Sequence, residues 1–351
     1  MEKVFLEECC EILDSQRIPI TAINRKKGKY PYYGANGLQD YVDNYIFDDE
    51  LVLLAEDGGN FEIKNKPIAY RVSGKCWVNN HAHVLKAKEC INVDYLCYSL
   101  MYYNVENIIN GATRKKLTQA AMRKMKITMR SMREQLFIVR KLSQITEIMK
   151  NRKRQLDELD TLVKSRFVEL FGNVFLNTMK WEEHSLELIA DIVSGITKGR
   201  KMKQQTLMEV PYMAVSNVKD GYIDWTTIKT IEATEQEINQ YRLLPNDVLM
   251  TEGGDPDKVG RGAIIRKPLE NCIHQNHIFR VRLNTTYILP EFFAEYLQHQ
   301  RAKRYFLRCA KQTTGIASIN MKQLRALPVL IPPIELQNQF SDFVVSTDKS
   351  K

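Results

Sequence analysis

CWVNNHAHVLKAKECINVDYLCYSL (Cys76 to Leu100) decides the architecture, because the chain writes it again as CIHQNHIFRVRLNTTYILPEFFAEYL (Cys272 to Leu297). Each copy reads cysteine, a short spacer, Asn-His, an alternating run, a polar turn and an amphipathic helical segment. Outward on the N-terminal side, FDDELVLLAEDGGN (Phe47 to Asn60) corresponds to LLPNDVLMTEGGDP (Leu243 to Pro256). One offset of 196 residues (252 − 56) relates Glu56 to Glu252, Cys76 to Cys272, Asn80 to Asn276 and His81 to His277. On the C-terminal side, NGATRKKLT around Gly111 answers TTGIASIN around Gly315. MKITMRSMREQ (Met125 to Gln135) then answers LPVLIPPIELQ (Leu327 to Gln337), where Pro332 and Pro333 suit an extended connector.

The patterning predicts strands at Leu51–Ala55, His83–Lys86, Asp247–Met250 and Ile278–Leu283, and helices at Asp94–Tyr103 and Glu291–Arg308. Between the repeats, the run from Met132 holds no Gly or Pro until Gly172. Ile138, Leu142, Ile145, Met149, Leu156, Leu159 and Val163 form a heptad seam that runs on into Phe167, with Arg152 in one seam slot. So narrow a seam predicts a partner helix, and Gly172 suits its C-terminal stop. The fold class is therefore α/β (α+β): two similar mixed domains, residues 1–130 and 173–332, around a long helix at 131–172. Residues 333–351 start a second helix, predicted to be short or truncated at about three turns over Glu335–Val345.

The 351 residues carry a net charge of +9, which is compatible with a polyanionic partner. Its placement says more. Arg114, Lys115, Lys116, Arg123, Lys124, Lys126, Arg130 and Arg133 follow one another with no acidic residue between them. Smaller clusters are Lys198, Arg200, Lys201 and Lys203, then Arg301, Lys303, Arg304, Arg308 and Lys311. No stretch approaches the ~20 apolar residues that span a bilayer. The acidic, amphipathic start MEKVFLEECCEILD is not a secretory signal, so the simplest address is the cytoplasm, with no membrane partner. Seven cysteines without a CxxC predict reduced, mostly buried thiols and no zinc site.

Catalytic signatures are absent: no P-loop, HExxH, GxSxG, GxGxxG or Asn/Asp-Pro-Pro-aromatic motif occurs. Asp57, Glu62 and Lys64 are spaced too closely for a nuclease triad, and the second repeat has no matching set. His81 and His83 stand at metal-ligand spacing for a strand, but position 279 is Phe, so the pair is not repeated. Asn80-His81 is expected to bond a turn backbone. Neither a catalytic nor a metal-binding residue is predicted.

The order of these motifs resembles the specificity (S) subunit of type I restriction-modification systems. The likeness rests on YGANG (Tyr33 to Gly37), LVLLAEDGGN, WVNNHAHVL, the turn Gly111 to Leu117 and MREQ with its helix. In the second half it rests on PYMAVSNVKDGYIDW, NDVLMTEGGDPDKVGRGAII and GIASINMKQLRALPVLIPPIELQNQF. The resemblance implies two target recognition domains, each reading one half of a split site on double-stranded DNA. It implies that the helix is the spacer and docks methyltransferase (M) subunits, with a restriction (R) subunit added. No cofactor is expected on this chain. S-adenosylmethionine, ATP and Mg2+ would belong to partner subunits. Candidate DNA contacts are Arg114, Lys115, Lys116, Lys198, Arg200, Lys201, Asn217, Lys219, Lys258 and Arg261. In the family the second helix matches the first in length, so here a second S chain is a candidate to complete the coiled coil. A type IIB-like recognition subunit, a non-catalytic coiled-coil scaffold and an inactive truncated S subunit remain the alternatives.

Overall fold

The computed structural model describes residues 2–63, 65–111, 114–199, 206–255, 259–313 and 315–350. It divides into two compact units, Met1–Arg152 and Lys153–Lys351.

In the first unit β1 (Lys3–Phe5), α1 (Leu6–Cys9) and β2 (Cys10–Ile12) precede β3 (Lys27–Gly34), β4 (Gly37–Val42) and β5 (Phe47–Ala55). Then come β6 (Ala69–Val78), β7 (Ala82–Ala87), α2 (Val93–Met101), α3 (Gln119–Arg123), β8 (Lys126–Thr128) and α4 (Met132–Phe171). Six strands form one sheet in the order β2-β7-β5-β6-β3-β4, and β1 pairs with β8. One core lies between this sheet, α2 and the β1–β8 pair, built on Val52, Leu54, Leu85, Leu96, Leu100 and Ile127.

The second unit holds β9 (Glu182–Ser185), α5 (Leu186–Ile189), β10 (Ala190–Ser194), β11 (Met208–Met213), β12 (Lys229–Ala233), α6 (Glu235–Tyr241) and β13 (Val248–Thr251). It continues with β14 (Gly253–Gly254), β15 (Gly262–Ile264), β16 (Ile273–His274), β17 (Ile278–Leu283), α7 (Pro290–Gln298), α8 (Gln300–Cys309) and β18 (Lys311–Thr313). It ends with β19 (Ile316–Ser318), α9 (Met321–Arg325), β20 (Pro328–Ile331) and α10 (Ile334–Ser350). Its strands lie in the orders β10-β17-β13-β15 and β12-β11-β16, with β9 on β20.

The 196-residue offset reappears in the ladders. Val52 faces Leu85 and Ala55 faces Ala82; Val248 faces Val281 and Thr251 faces Ile278. A one-residue slip would turn every side chain to the wrong face, so matching register is strict equivalence. The helix expected over Glu291–Arg308 is instead two, α7 and α8, broken at His299, whose backbone is extended. No Gly or Pro announces that break; His299 stacks on Phe167 at 4.6 Å, a contact sequence periodicity cannot see.

Helix α4 opens on a capping box: Ser131 N donates to Glu134 at 3.0 Å, and Glu134 N to Ser131 Oγ at 3.4 Å. It stops at Gly172, whose φ of +68° favours glycine. Its first turns lay Ile138 and Val139 on the first core. Its last turns bury Val163, Phe167 and Phe171 in the second. The seam between them is open, with Ile145 52% and Met149 67% exposed. Helix α10 extends past the expected Val345 to Ser350, and its Phe340 meets Phe167 and Phe171 at 5.3 and 5.7 Å. The end of the seam at Phe167 is thus covered within the chain, while the stretch around Met149 stays open.

A glutamine fixes each helix start. Gln135 Oε1 accepts from Asn92 N at 2.7 Å, while Nε2 donates to Cys90 O at 3.0 Å and Arg130 O at 2.9 Å. Gln337 repeats this on Leu289 N (2.8 Å), Tyr287 O (3.0 Å) and Pro332 O (2.8 Å). Both are fully buried. Each uses its amide to satisfy the orphan N–H that opens α2 or α7.

Candidate nucleic-acid interface

The site of the first unit grows from the turn after β5. Glu56 N donates to His81 O at 2.9 Å, and Leu117 N to Glu56 O at 2.7 Å, so three distant segments meet at one residue. Asp57 takes His81 Nδ1 at 2.5 Å and Arg114 Nη2 at 2.9 Å. Gly58 has φ +62°, and an added Cβ would lie 2.9 Å from Arg114 Nη2; Asn36 of YGANG donates to Gly58 O at 2.9 Å. Gly58, Gly59, Phe61, Glu62, Arg114 and Lys115 line a shallow hollow of about 250 Å³.

Behind the turn is a buried charge network. His83 Nδ1 meets Asp14 Oδ2 at 2.6 Å, and its Nε2 faces Leu117 O at 2.8 Å. Glu56 takes Arg17 at 2.6 Å and Lys116 at 3.1 Å. Burial works to raise the Asp14 pKa, but His83, the Val84 amide and Gln119 outweigh it and hold the carboxyl below its usual range. Asp14, Glu56 and His83 place ligand-type atoms within 4.8 Å of one another. Both His83 nitrogens already face oxygens, and Arg17 and Lys116 supply the positive charge a cation would bring. The trio fits a brace better than a metal site.

The second unit keeps the frame and changes the chemistry. Glu252 N donates to His277 O at 3.0 Å and Ile319 N to Glu252 O at 2.8 Å, but here His277 Nδ1 bonds Glu252 itself at 2.5 Å. His274 is buried with Nδ1 on Ile278 O at 3.0 Å and no partner on Nε2 among the described residues. Burial pushes its pKa down to about 4, so the ring is neutral.

The candidate residues separate by setting. Arg114 and Lys116 are exposed at the first turn and Lys115 is half-buried there. Lys198 is exposed, Arg261 half-buried, and Lys219 lies 3.9 Å from Asp224. Arg200, Lys201 and Lys258 lie outside the described residues, as does Lys64. Asn217 is a correction: it is 3% exposed, and its amide is spent inside its loop on Ala214 N, Asp224 O and Thr227 O, each at 2.9 Å. Asn79 also replaces Asn80 as the turn-bonding amide, accepting His81 N at 2.8 Å while Asn80 is exposed. Sequence reading missed Arg17 and Asp14, which no local spacing ties to Glu56. It also missed the exposed Lys26, Lys27 and Lys29, which the run RKKGK does signal. Five cysteines are buried and none is bridged; burial pushes Cys76 and Cys272 up to about 12.

Residues 1–160 and 179–350 each match the family model described as type I restriction modification DNA specificity domain. The chain belongs to this family. Among its relatives, the EcoKI specificity subunit of Escherichia coli K12 is 23% identical over 348 residues, covering 90% of this chain and 75% of that one. The StySPI specificity subunit of Salmonella potsdam is 23% identical over 306 residues, covering 82% and 65%. A Haemophilus influenzae protein named for a type I specificity subunit is 38% identical over 143 residues, spanning 41% of this chain and 37% of its own length. The crystal structure of an S subunit from M. genitalium shares the fold, with a TM-score of 0.62 at 14% identity over 99% of this chain and 89% of that one. No helix among the described residues is long and apolar enough to cross a membrane.

Proposed function

We propose that this chain is the DNA-recognition subunit of a type I restriction-modification complex, and that each unit reads one half of a split duplex site. One observation carries the reading: the β5–β7 and β13–β17 ladders share their register, and the tips share their backbone hydrogen bonds, in two units joined by a single 40-residue helix. Duplicated frames with different side chains at their tips suit two unlike half-sites. Helix α4, roughly 60 Å long at 1.5 Å per residue, is the spacer. Its open seam around Ile145 and Met149 offers apolar surface to methyltransferase helices or to a second S chain. Methyl transfer from S-adenosylmethionine belongs to the M subunits, and ATP- and Mg2+-dependent cleavage to the R subunit. In this reading the chain positions and does not catalyse.

The test is co-expression with the cognate methyltransferase, followed by long-read mapping of methylated adenines on plasmid DNA. A motif of two fixed halves around an unread gap is expected. Changing the exposed cations Lys26, Lys27 and Lys29 should weaken methylation, while a unit exchange should alter one half of the motif only. Methylation at an unsplit motif, or none with all partners present, would sink the proposal.

A further inference from the structure

Helix α8 carries Arg301, Lys303, Arg304 and Arg308 without an acidic residue, and Lys311 follows on β18. Ala302 and Phe306 seat the helix in the core of the second unit. Arg301, Arg304 and Arg308 recur at steps of three and four, so they share one face. They are not alike. Arg301 Nη1 donates to Phe175 O at 3.1 Å and Nη2 pairs with Glu183, so that guanidinium is committed. Arg304 is exposed and lies 4.5 Å from the Phe175 ring centroid, which holds its plane while leaving N–H edges free. Arg308 and Lys311 are exposed. None of these last three has an ion-pair partner among the described residues. Arg304 and Arg308 rim a hollow of about 710 Å³ walled by Phe175, Tyr305 and Leu307.

The first unit has the opposite arrangement. Its counterpart of this stretch, Tyr102–Asn110, carries no cation and one Glu106; its cations stand at Arg114–Lys116. The second unit's counterpart of that turn, Ile316–Ser318, has none. Helix α8 runs into the β18–β19 hairpin, and β19 pairs with Gly253–Gly254. The first unit therefore sets its cations on the turn that meets Glu56–Gly59, and the second sets Lys311 on the hairpin that meets Glu252-Gly253-Gly254, with Arg304 and Arg308 on the helix that leads into it.

We propose that Arg304, Arg308 and Lys311 contact phosphates of the bound duplex and replace, in the second unit, the Arg114–Lys116 turn of the first. The inference rests on the DNA reading above. Uncompensated cations about one helical turn apart suit a phosphate row, whereas an acidic protein segment is the competing occupant.

The test uses the full chain in complex with its methyltransferase subunits and a short duplex of mixed sequence, titrated across salt concentrations. R304Q/R308Q/K311Q is expected to lower the slope of log K against log salt by about 2 to 3, equally for all sequences. R308Q alone should remove about 1, which keeps the test valid if the triple variant folds poorly. R304K/R308K/K311R should restore the slope. An unchanged slope with weaker methyltransferase retention would mean an acidic protein segment docks there; an unchanged slope and retention would mean a solvated helix face. Either overturns the inference and leaves the DNA reading standing. No duplex binding by the unaltered complex would overturn both.

Discussion

In the first unit, Ala69–Val78 is one strand that pairs with β5 along its length and with β3 at its end. In the second, that strand's place is divided, with β15 beside β13 and β16 beside β11, and the single sheet becomes two. The intervening segment contains Pro268, which has no N–H for a ladder. The units also close their tips differently. The first locks Glu56 with Arg17, Lys116 and His83, a set of charges. The second places neutral His274 where the first has Val78, and pairs the Glu252 carboxylate with His277, its one side-chain partner among the described residues. A duplicated backbone thus tolerates two unrelated ways of sealing the same turn, because register depends on the apolar ladder residues and not on the tip.

The largest expected test of this comparison concerns how each unit grips α4. Phe167 is fully buried against Phe171, Phe292 and Phe340, whereas Ile138 is half-buried. Phe167→Ala should cost about 4 kcal/mol in urea unfolding and Ile138→Ala about 1; equal losses would break the asymmetry. Next, Gln135→Ala and Gln337→Ala should each cost about 3 kcal/mol, because each orphans one buried N–H and two carbonyls. A neutral change at either position would end the equivalence of the two helix starts.

Acid should separate the units. His274 has a folded pKa of about 4 against an ordinary 6.5, so the fold favours the neutral ring. Its contribution is complete above about pH 6.5 and is lost as pH falls towards 4, up to about 3 kcal/mol. Hydrogen exchange should show β11 and β16 losing protection first at pH 5, and His274→Asn should flatten that dependence. Asp14, held below its usual range, contributes above the ordinary carboxylate pKa and is lost only as pH falls through its lower folded value. Uniform loss across both units would contradict the assignment. The smallest effect is expected at the tip pairs. Asp57→Asn and Glu252→Gln break partly exposed contacts and should cost roughly 1 kcal/mol or less in thermal melts.

Much was legible in the residues. The repeat offset survives as ladder register, Gly172 ends the helix as its position suggests, and Ile278–Leu283 is a strand with those bounds. The break at His299 was not legible, because the helix pattern continues through it and only packing on Phe167 interrupts it. Among site residues, the Arg114–Lys116 turn was visible as charge. Asn217 looked like a reading residue because a polar side chain in a loop gives no sign of whether it faces solvent or its own backbone.

The sequence by itself determined the duplicated mixed domains, the long helix between them and the family they belong to. Those depend on period, spacing and order, which are properties of the chain written in one dimension. Tertiary structure alone decided which charges are spent and which are free. Arg17 reaches Glu56 across 39 positions and Arg301 reaches Glu183 across 118, while Arg304 and Arg308 find no carboxylate among the described residues. A cation's availability is set by what folds beside it, and neighbours that distant leave no mark on local sequence.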